Sequence, residues 1–215
     1  MKHALNEEEH KRLNERTAAA EKKTNAQIVC AVIGKSDTYA ELPWKAFALG
    51  VSLAGLAALL LNILRPPALP WQSAFSAVGI SLGAGAGAAL AVVFIPAFAR
   101  LFLSVSRADT EVRQYADSLF LSREMFAVPR RRTVLLLVSL FERRIVVLPD
   151  AGLVRQLDAQ AASAIIRSMR PELIAGRTAQ ALETGVAKIE ELLLDDGRPA
   201  AENTLPDDVI EEEGT

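Results

Sequence analysis

Asp150 is the residue whose type and position best suit chemistry. It follows a β-branched, apolar run and precedes Gly152 by two positions, at the expected start of a helix. A carboxylate at the end of a strand can bind a hard cation, or it can cap the next helix by accepting hydrogen bonds from its first amides. Calcium requires roughly six to eight oxygen ligands, and no dense group of acids lies nearby in the sequence. We therefore predict that Asp150, with Gly152 beside it, is either a ligand or a helix cap.

Other reactive side chains occur where structural roles are expected. The only cysteine, Cys30, excludes an intramolecular disulfide, and the two histidines, His3 and His10, lie too near the N-terminus for a His-rich metal site. Cys30 and Ser139 each fall within an apolar run, and Ser139 lacks the G-x-S-x-G surroundings of a hydrolase nucleophile. The residues alone identify no catalytic group and predict no metal or other cofactor.

Two long segments without charge dominate the chain. They cover residues 46–64 and 74–99, and Pro66, Pro67 and Pro70 interrupt the apolar sequence between them. A helix of about 20 apolar residues spans the hydrocarbon core of a bilayer, so these segments predict a transmembrane helical hairpin over residues 46–99. Trp44 and Trp71 occupy positions that suit interfacial anchors. The lipid bilayer is therefore the first predicted partner.

Three glycines in the second segment recur at every fourth position. Gly79, Gly83 and Gly87 share one helix face, as in the small-xxx-small pattern that lets helices approach closely. We predict that this face packs against the first span, and that it also contacts helices of partner proteins.

Basic residues near the two spans are distributed unequally. The connection between the spans carries only Arg65, whereas the flanking chain carries Lys35, Lys45, Arg100, Arg107 and Arg113. The positive-inside rule then places both termini in the cytoplasm. Residues 195–215 hold eight acids and one base, so the remaining chain has 23 bases and 18 acids. We predict that this acidic tail is disordered. Residues 130–132 are three arginines without interleaved aromatics, which does not indicate a nucleic-acid surface.

The remaining segments predict an α/β fold that the hairpin interrupts. A β-branched run at residues 27–33 predicts a buried strand, and a strand alone in water lacks partners for its backbone. Its partners must follow the membrane spans, where residues 133–141 and 144–148 predict an antiparallel hairpin that turns at Glu142 and Arg143. Helices are predicted at residues 5–24, with Asn6 and Glu9 as a capping pair, and at 107–126, 152–169 and 176–194. The domain is therefore split between residues 1–45 and 100–194, around a small mixed sheet.

Two of these segments carry a resemblance to a known family. Residues 132–153, Arg-Thr-Val-Leu-Leu-Leu-Val-Ser-Leu-Phe-Glu-Arg-Arg-Ile-Val-Val-Leu-Pro-Asp-Ala-Gly-Leu, resemble the strand-turn-strand signature of the TPM domain, and residues 25–30 are similar to its first strand. The intervening spans resemble a bacterial membrane subgroup of that family. The resemblance implies an α/β/α sandwich, a location in the bacterial inner membrane and a recurring acidic position that Asp150 matches. Phosphatase activity and calcium binding have been proposed for some members of the family, so the resemblance makes both activities expectations for this chain.

Two hypotheses about function remain open from the sequence. The first is a membrane-anchored TPM-like module that binds or helps to maintain other membrane proteins. The second is a metal-dependent hydrolase of the phosphatase type, in which Asp150 acts with other acids that the fold brings together. Convergent carboxylates in a cleft would favour the hydrolase, whereas an Asp150 engaged by the backbone would favour the interaction module. The sequence leaves the oligomeric state, the substrate and the identity of any partner undetermined.

Overall fold

The computed structural model describes residues 5–65, 70–194 and 209–214. The chain divides into two compact units, and each is described by itself. The sheet unit consists of Met1–Asp37 with Asp109–Thr215, and the helical unit consists of Thr38–Ala108. The predicted boundaries between the two parts, at residues 45 and 100, both lie within the helical unit. That unit also includes the first turn of the helix that begins at Glu41 and the short helical turns that follow the second apolar segment.

The sheet unit is built around a mixed sheet of four strands in the order β3-β2-β1-β4. The strands are β1 (Gln27–Lys35), β2 (Thr133–Ser139), β3 (Arg144–Pro149) and β4 (Ile210–Gly214). β1 pairs parallel to β2, with Gln27 opposite Thr133, and β2 pairs antiparallel to β3. The first strand is thus completed by chain that follows the apolar segments, as the sequence predicts.

Helices cover both faces of this sheet and make an α/β/α sandwich. They are α1 (Glu7–Thr24), α5 (Val105–Ser122), α6 (Ala159–Ile174) and α7 (Thr178–Leu193). Since side chains alternate along a strand, Cys30 and Leu136 enter the core shared with α1, α6 and α7, whereas Ala31 and Leu135 enter the core shared with α5. The predicted fold class is confirmed.

Local sequence signals explain where α1 begins. The Asn6 side chain accepts a hydrogen bond of 2.8 Å from the amide of Glu9, and the Glu9 carboxylate accepts one of 2.9 Å from the amide of Asn6. This reciprocal pair is the predicted capping box, which satisfies two amides that the helix leaves without partners. Three glutamates in the first turn and two lysines in the last turn also favour the helix dipole.

Several predicted boundaries differ from the structure; the helix predicted at residues 107–126, for example, spans Val105–Ser122. Two of the differences have a clear physical cause. β2 ends at Ser139, before the predicted end at residue 141, because the amides of Leu140 and Phe141 donate to carbonyls at the end of β1 instead of continuing the ladder with β3. The helix predicted at residues 152–169 begins only at Ala159, where Asp158 caps it by accepting a 2.8 Å hydrogen bond from the amide of Ala161. Residues 151–156 form turns.

The helical unit contains the two long apolar helices α2 (Glu41–Leu64) and α3 (Pro70–Phe94), followed by the short α4 (Pro96–Ala99). Both long helices are apolar and long enough to cross a membrane. In the most apolar 18 residues of each, none of α2 and 11% of α3 is buried by the protein. Many of their leucine, valine and phenylalanine side chains are therefore exposed.

The predicted disorder of residues 195–215 is wrong for the last part of the segment. Residues 210–214 form β4, which pairs parallel to β1 with Ala31 opposite Ile210. Backbone pairing and the burial of Val209 hold this strand in the sheet, although its acidic composition predicts a disordered segment. Residues 195–208 lie outside the described residues.

Candidate interaction groove beside β3

Asp150 is held by an arginine and does not cap the next helix. Its two carboxylate oxygens each accept a 2.7 Å hydrogen bond from the Arg131 guanidinium, and one of them also accepts a bond of 2.7 Å from the amide of Ala151. The side chain of Asp150 is 4% exposed, whereas that of Arg131 is 54% exposed. The hydrogen bonds that Arg131 donates to Asp150 raise the pKa of the Arg131 guanidinium above its ordinary value. The helix-cap prediction is wrong because Asp158 performs that role for α6.

Gly152 permits a close contact between two segments of backbone. A Cβ atom at this position would lie 2.3 Å from the carbonyl oxygen of Arg130 and 2.6 Å from that of Arg131. The Gly152 amide donates a 2.9 Å hydrogen bond to the Arg131 carbonyl oxygen. The glycine therefore allows residues 130–131 to lie against the end of β3, where the Arg131 side chain can reach Asp150.

Glu142 is a buried residue that sequence reasoning placed on a solvated turn. It is 5% exposed. One carboxylate oxygen accepts hydrogen bonds of 2.9 Å from the Ser36 amide and 2.7 Å from the Ser36 hydroxyl, and the other accepts a short one from the Ser139 hydroxyl. Glu142 therefore ties the β2–β3 turn to the end of β1. Ser139 is a local partner, but Ser36 lies 106 positions away and reaches Glu142 only through strand pairing, so the local sequence carried no signal for that contact.

The predicted packing of the Gly79, Gly83 and Gly87 face against the first span is wrong. A Cβ atom at any of the three would have no atom within 4 Å. The contact with α2 instead involves Gly85, where a Cβ would lie 2.6 Å from a methyl group of Val51, and Gly50, where it would lie 2.8 Å from the Ala84 carbonyl oxygen. Gly85 is two residues from Gly83, a rotation of about 200° around the helix, so it lies on the opposite side.

A groove of about 540 Å³ runs along the outer edge of β3, between α5 and α6. The alternating bonds of the antiparallel ladder identify the backbone groups that face it. The Asp150 amide donates to the Thr133 carbonyl, so every second residue before Asp150 bonds to β2 through its backbone. Ile145 and Val147 lie between these residues, and their amides and carbonyls therefore point away from β2. Ala162 and Ile166 of α6, both half-buried, supply apolar walls.

The polar side chains that line this groove are already engaged with one another or with the backbone. Arg144 forms an ion pair with Asp109, and Arg113 lies 3.4 Å from Asp117. Asp158 caps α6, and the Ser163 hydroxyl donates a 2.8 Å hydrogen bond to the Ala159 carbonyl. This arrangement offers apolar walls and open backbone groups for binding, and it presents neither a paired nucleophile and base nor two convergent carboxylates.

Among the residues that the structure describes, acids and thiols do not converge on Asp150. Within residues 5–65, 70–194 and 209–214, no group of three or more His, Cys, Asp and Glu side chains is arranged to hold a metal ion. Asp117 is engaged with Arg113, and Asp158 is engaged with the start of α6, so neither acts beside Asp150. Cys30 is buried, and burial raises the pKa of its thiol from 9.0 to about 12, which keeps the thiol in its unreactive protonated form.

Comparison with known proteins agrees with this architecture. The chain is similar in fold to the BA42 protein of the psychrophilic bacterium Bizionia argentinensis, whose structure was determined by NMR, with a TM-score of 0.58 and 14% sequence identity. The alignment covers 98% of this chain and 97% of that one. No curated protein matches the sequence.

A family model places the chain more directly. The model described as the TPM domain matches residues 73–192, which is more than half of the chain and includes β2, the turn at Glu142, β3, α6 and most of α7. On this match, the protein belongs to the TPM domain family.

Proposed function

We propose that this protein is a membrane-anchored TPM module that binds an extended segment of another membrane protein in the groove beside β3. The observation that carries the proposal is the open edge of β3, where Ile145 and Val147 direct backbone groups into a groove with apolar walls. An extended segment can add to such an edge as a further strand, with its backbone supplying hydrogen bonds and its side chains entering the flanking walls.

Support for the membrane anchor comes from the exposed apolar surface of α2 and α3. Leu64, Phe75 and Phe94 are each 76% exposed, so water would contact large apolar side chains along both helices. Trp44 and Trp71 are exposed at the start of these helices, where an indole suits the headgroup layer. We propose a bacterial inner-membrane location with both termini in the cytoplasm, which follows from the basic residues that flank the pair.

Metal-dependent hydrolysis, the alternative from the sequence, has weaker structural support. It required acids gathered around Asp150, and the described geometry instead gives that carboxylate a bidentate arginine partner. Calcium binding at Asp150 is the part of this alternative that a titration tests directly.

Filling the groove tests the proposed function. Ser163 is exposed and lines the groove, so Ser163→Trp should block an added strand without disturbing the core. Arg167→Trp provides a matched control on the same helix, at an exposed position that does not line the groove. Full-length variants would be extracted in a mild detergent after crosslinking in membranes.

We expect Ser163→Trp to lose crosslinked partners that the wild type and Arg167→Trp retain. The same crosslinked proteins, recovered in equal amounts with all three chains, would contradict the groove as the binding surface. Recovery of the protein in the soluble fraction without detergent would contradict the anchor.

A further inference from the structure

The C-terminal strand is attached to the sheet in the manner of a bound peptide. β4 lies parallel to the last part of β1, from Ala31 opposite Ile210 to Lys35 opposite Gly214. Residues 194–209 separate it from the end of α7. Within the described residues 209–214, only the half-buried Ile210 and Val209, which lies just before the strand, join the apolar cores. Backbone pairing must therefore supply much of its attachment, as it does for peptides that bind at sheet edges.

Two consecutive glutamates of β4 are recognised on opposite faces of the sheet. Glu211 accepts a hydrogen bond of 2.9 Å from the Leu5 amide, and its carboxylate lies 3.3 Å from the His10 imidazole. These partners lie at the start of α1. Because side chains alternate along a strand, the next residue points towards α5.

On that second face, Glu212 meets a tyrosine and an arginine. The Tyr115 hydroxyl donates a short hydrogen bond to one carboxylate oxygen, and the Arg123 guanidinium donates one of 3.1 Å to the other. Hydrogen-bond donors therefore lie on both faces of the sheet beside the edge of β1. These donors complement the carboxylates of an acidic strand. Charge-assisted hydrogen bonds of this kind are stronger than neutral ones.

Close backbone approach selects glycine at two positions along the pairing. A Cβ atom at Gly34 of β1 would lie 2.7 Å from the carbonyl oxygen of Glu213. Gly214 has a φ of +80°, and a Cβ there would lie 1.4 Å from the Lys35 carbonyl oxygen. The pairing therefore requires glycine at position 34 of β1 and at position 214 of the strand beside it.

We propose that the edge of β1, between α1 and α5, is a binding site for acidic, extended protein segments of the type Val-Ile-Glu-Glu-Glu-Gly. The chain's own β4 occupies this site in cis, and an equivalent segment supplied in trans binds there when β4 is displaced. Its ligand chemistry is a parallel strand with two adjacent carboxylates, one for each face of the sheet. This site lies at the opposite edge of the sheet from β3, so the inference does not depend on the function proposed for that groove.

Cleavage of the folded chain tests the proposal without removing any residue beforehand. A recognition site for a sequence-specific protease would be inserted between Arg198 and Pro199 of the full-length protein in detergent. After cleavage, a fluorescein-labelled peptide of residues 207–215 would be added, and its binding followed by fluorescence anisotropy. Circular dichroism would confirm that the cleaved protein stays folded.

We expect the labelled peptide to bind the cleaved protein saturably and to bind the uncleaved protein at least about tenfold more weakly, because the tethered strand competes at high effective concentration. A peptide carrying Glu211→Ala and Glu212→Ala should bind the cleaved protein at least about tenfold more weakly than the native peptide, since it lacks both charge-assisted contacts. An Arg123→Ala chain should weaken binding of the native peptide more than binding of the double-alanine peptide.

Three results would overturn the proposal. They are a folded, cleaved protein that takes up no peptide, equal binding of the native and double-alanine peptides, and loss of the sheet structure on cleavage. The last result would show that β4 is a fixed structural strand and not an exchangeable occupant.

Discussion

The carboxylate of Asp150 and the guanidinium of Arg131 are joined by two hydrogen bonds of 2.7 Å. Arg131 belongs to the basic run 130–132, and Asp150 ends the strand hairpin that follows it. The pair joins the segment before β2 to the end of β3. An acidic residue that looks available in the sequence is therefore occupied in the folded protein.

Replacing Asp150 should destabilise the protein, and calcium should not change the stability of the wild type. We expect Asp150→Ala to lower the melting temperature by a few degrees, because the change removes a bidentate partner and an acceptor for the Ala151 amide. Calcium should leave the melting temperature of the wild type unchanged. Thermal melting in detergent, with Asp117→Asn as an exposed control, measures both effects. A rise with calcium that disappears in Asp150→Ala would instead establish a cation site.

Loss of the Glu142 charge should weaken the connection between the β2–β3 turn and β1. Glu142→Gln leaves one amide and two hydroxyl groups with a poorer set of acceptors, so we expect a loss of about 1–3 kcal/mol in the free energy of unfolding. Urea unfolding followed by circular dichroism measures it. Glu15→Gln, at an exposed position on α1, provides the control. Equal stability of the two variants would mean that Glu142 contributes no more than a surface acid.

Two glycines on opposite sides of α3 should respond differently to the same substitution. Gly85→Leu would collide with Val51 and Phe47 of α2, so we expect it to separate the helices and lower thermal stability in detergent. Gly83→Leu places its side chain in open space and should leave that packing intact. Disulfide crosslinking between cysteines introduced in α2 and α3 reports the packing. Identical loss of helix packing in both variants would contradict the assigned faces.

Separately, Gly83→Leu should reduce crosslinking to other proteins if the exposed glycine face binds partner helices.

Cys30 should make the protein less stable at alkaline pH. Burial raises the pKa of its thiol from 9.0 to about 12. The unfolded chain therefore releases this proton at lower pH than the folded chain. Stability is unaffected below the unfolded pKa and falls as the pH rises towards the folded value, by at most about 1.4 kcal/mol per pH unit.

The measurement is the difference in unfolding free energy between the wild type and Cys30→Ala, compared at about pH 8 and about pH 10. We expect the wild type to lose stability relative to the variant at the higher pH. A difference that does not change with pH would show that the thiol titrates alike in both states.

Sequence patterns predicted the elements whose signals are local. The capping pair Asn6 and Glu9, the β-branched run of β1 and the strand hairpin all follow from neighbouring residues, and the need of β1 for later partners follows from backbone hydrogen bonding. The pairing of β4 could not be read in this way, because three of its five residues are glutamates. Only Val209 and Ile210, a β-branched pair in an otherwise acidic segment, gave any signal for it.

Candidate site residues were harder to predict because their roles depend on distant partners. Spacing identified a real glycine stripe in α3, but helix rotation decides which side faces α2, and Gly85 occupies that side. Asp150 was predicted to be a ligand or a helix cap, but its partner in the structure is Arg131, which is 19 positions away in sequence. The groove beside β3 requires α5, β3 and α6 together, so no single segment could reveal it.

The most direct test of the account is the position of single cysteines relative to the membrane. In a Cys30→Ala background, Gln72→Cys at the start of α3 and Ser118→Cys on α5 would be exposed in intact cells to a thiol reagent that does not cross the inner membrane. We predict labelling at residue 72 and protection at residue 118 until the membrane is permeabilised. Labelling of both positions, or of residue 118 alone, would contradict a bilayer-spanning helix pair with the sheet unit in the cytoplasm.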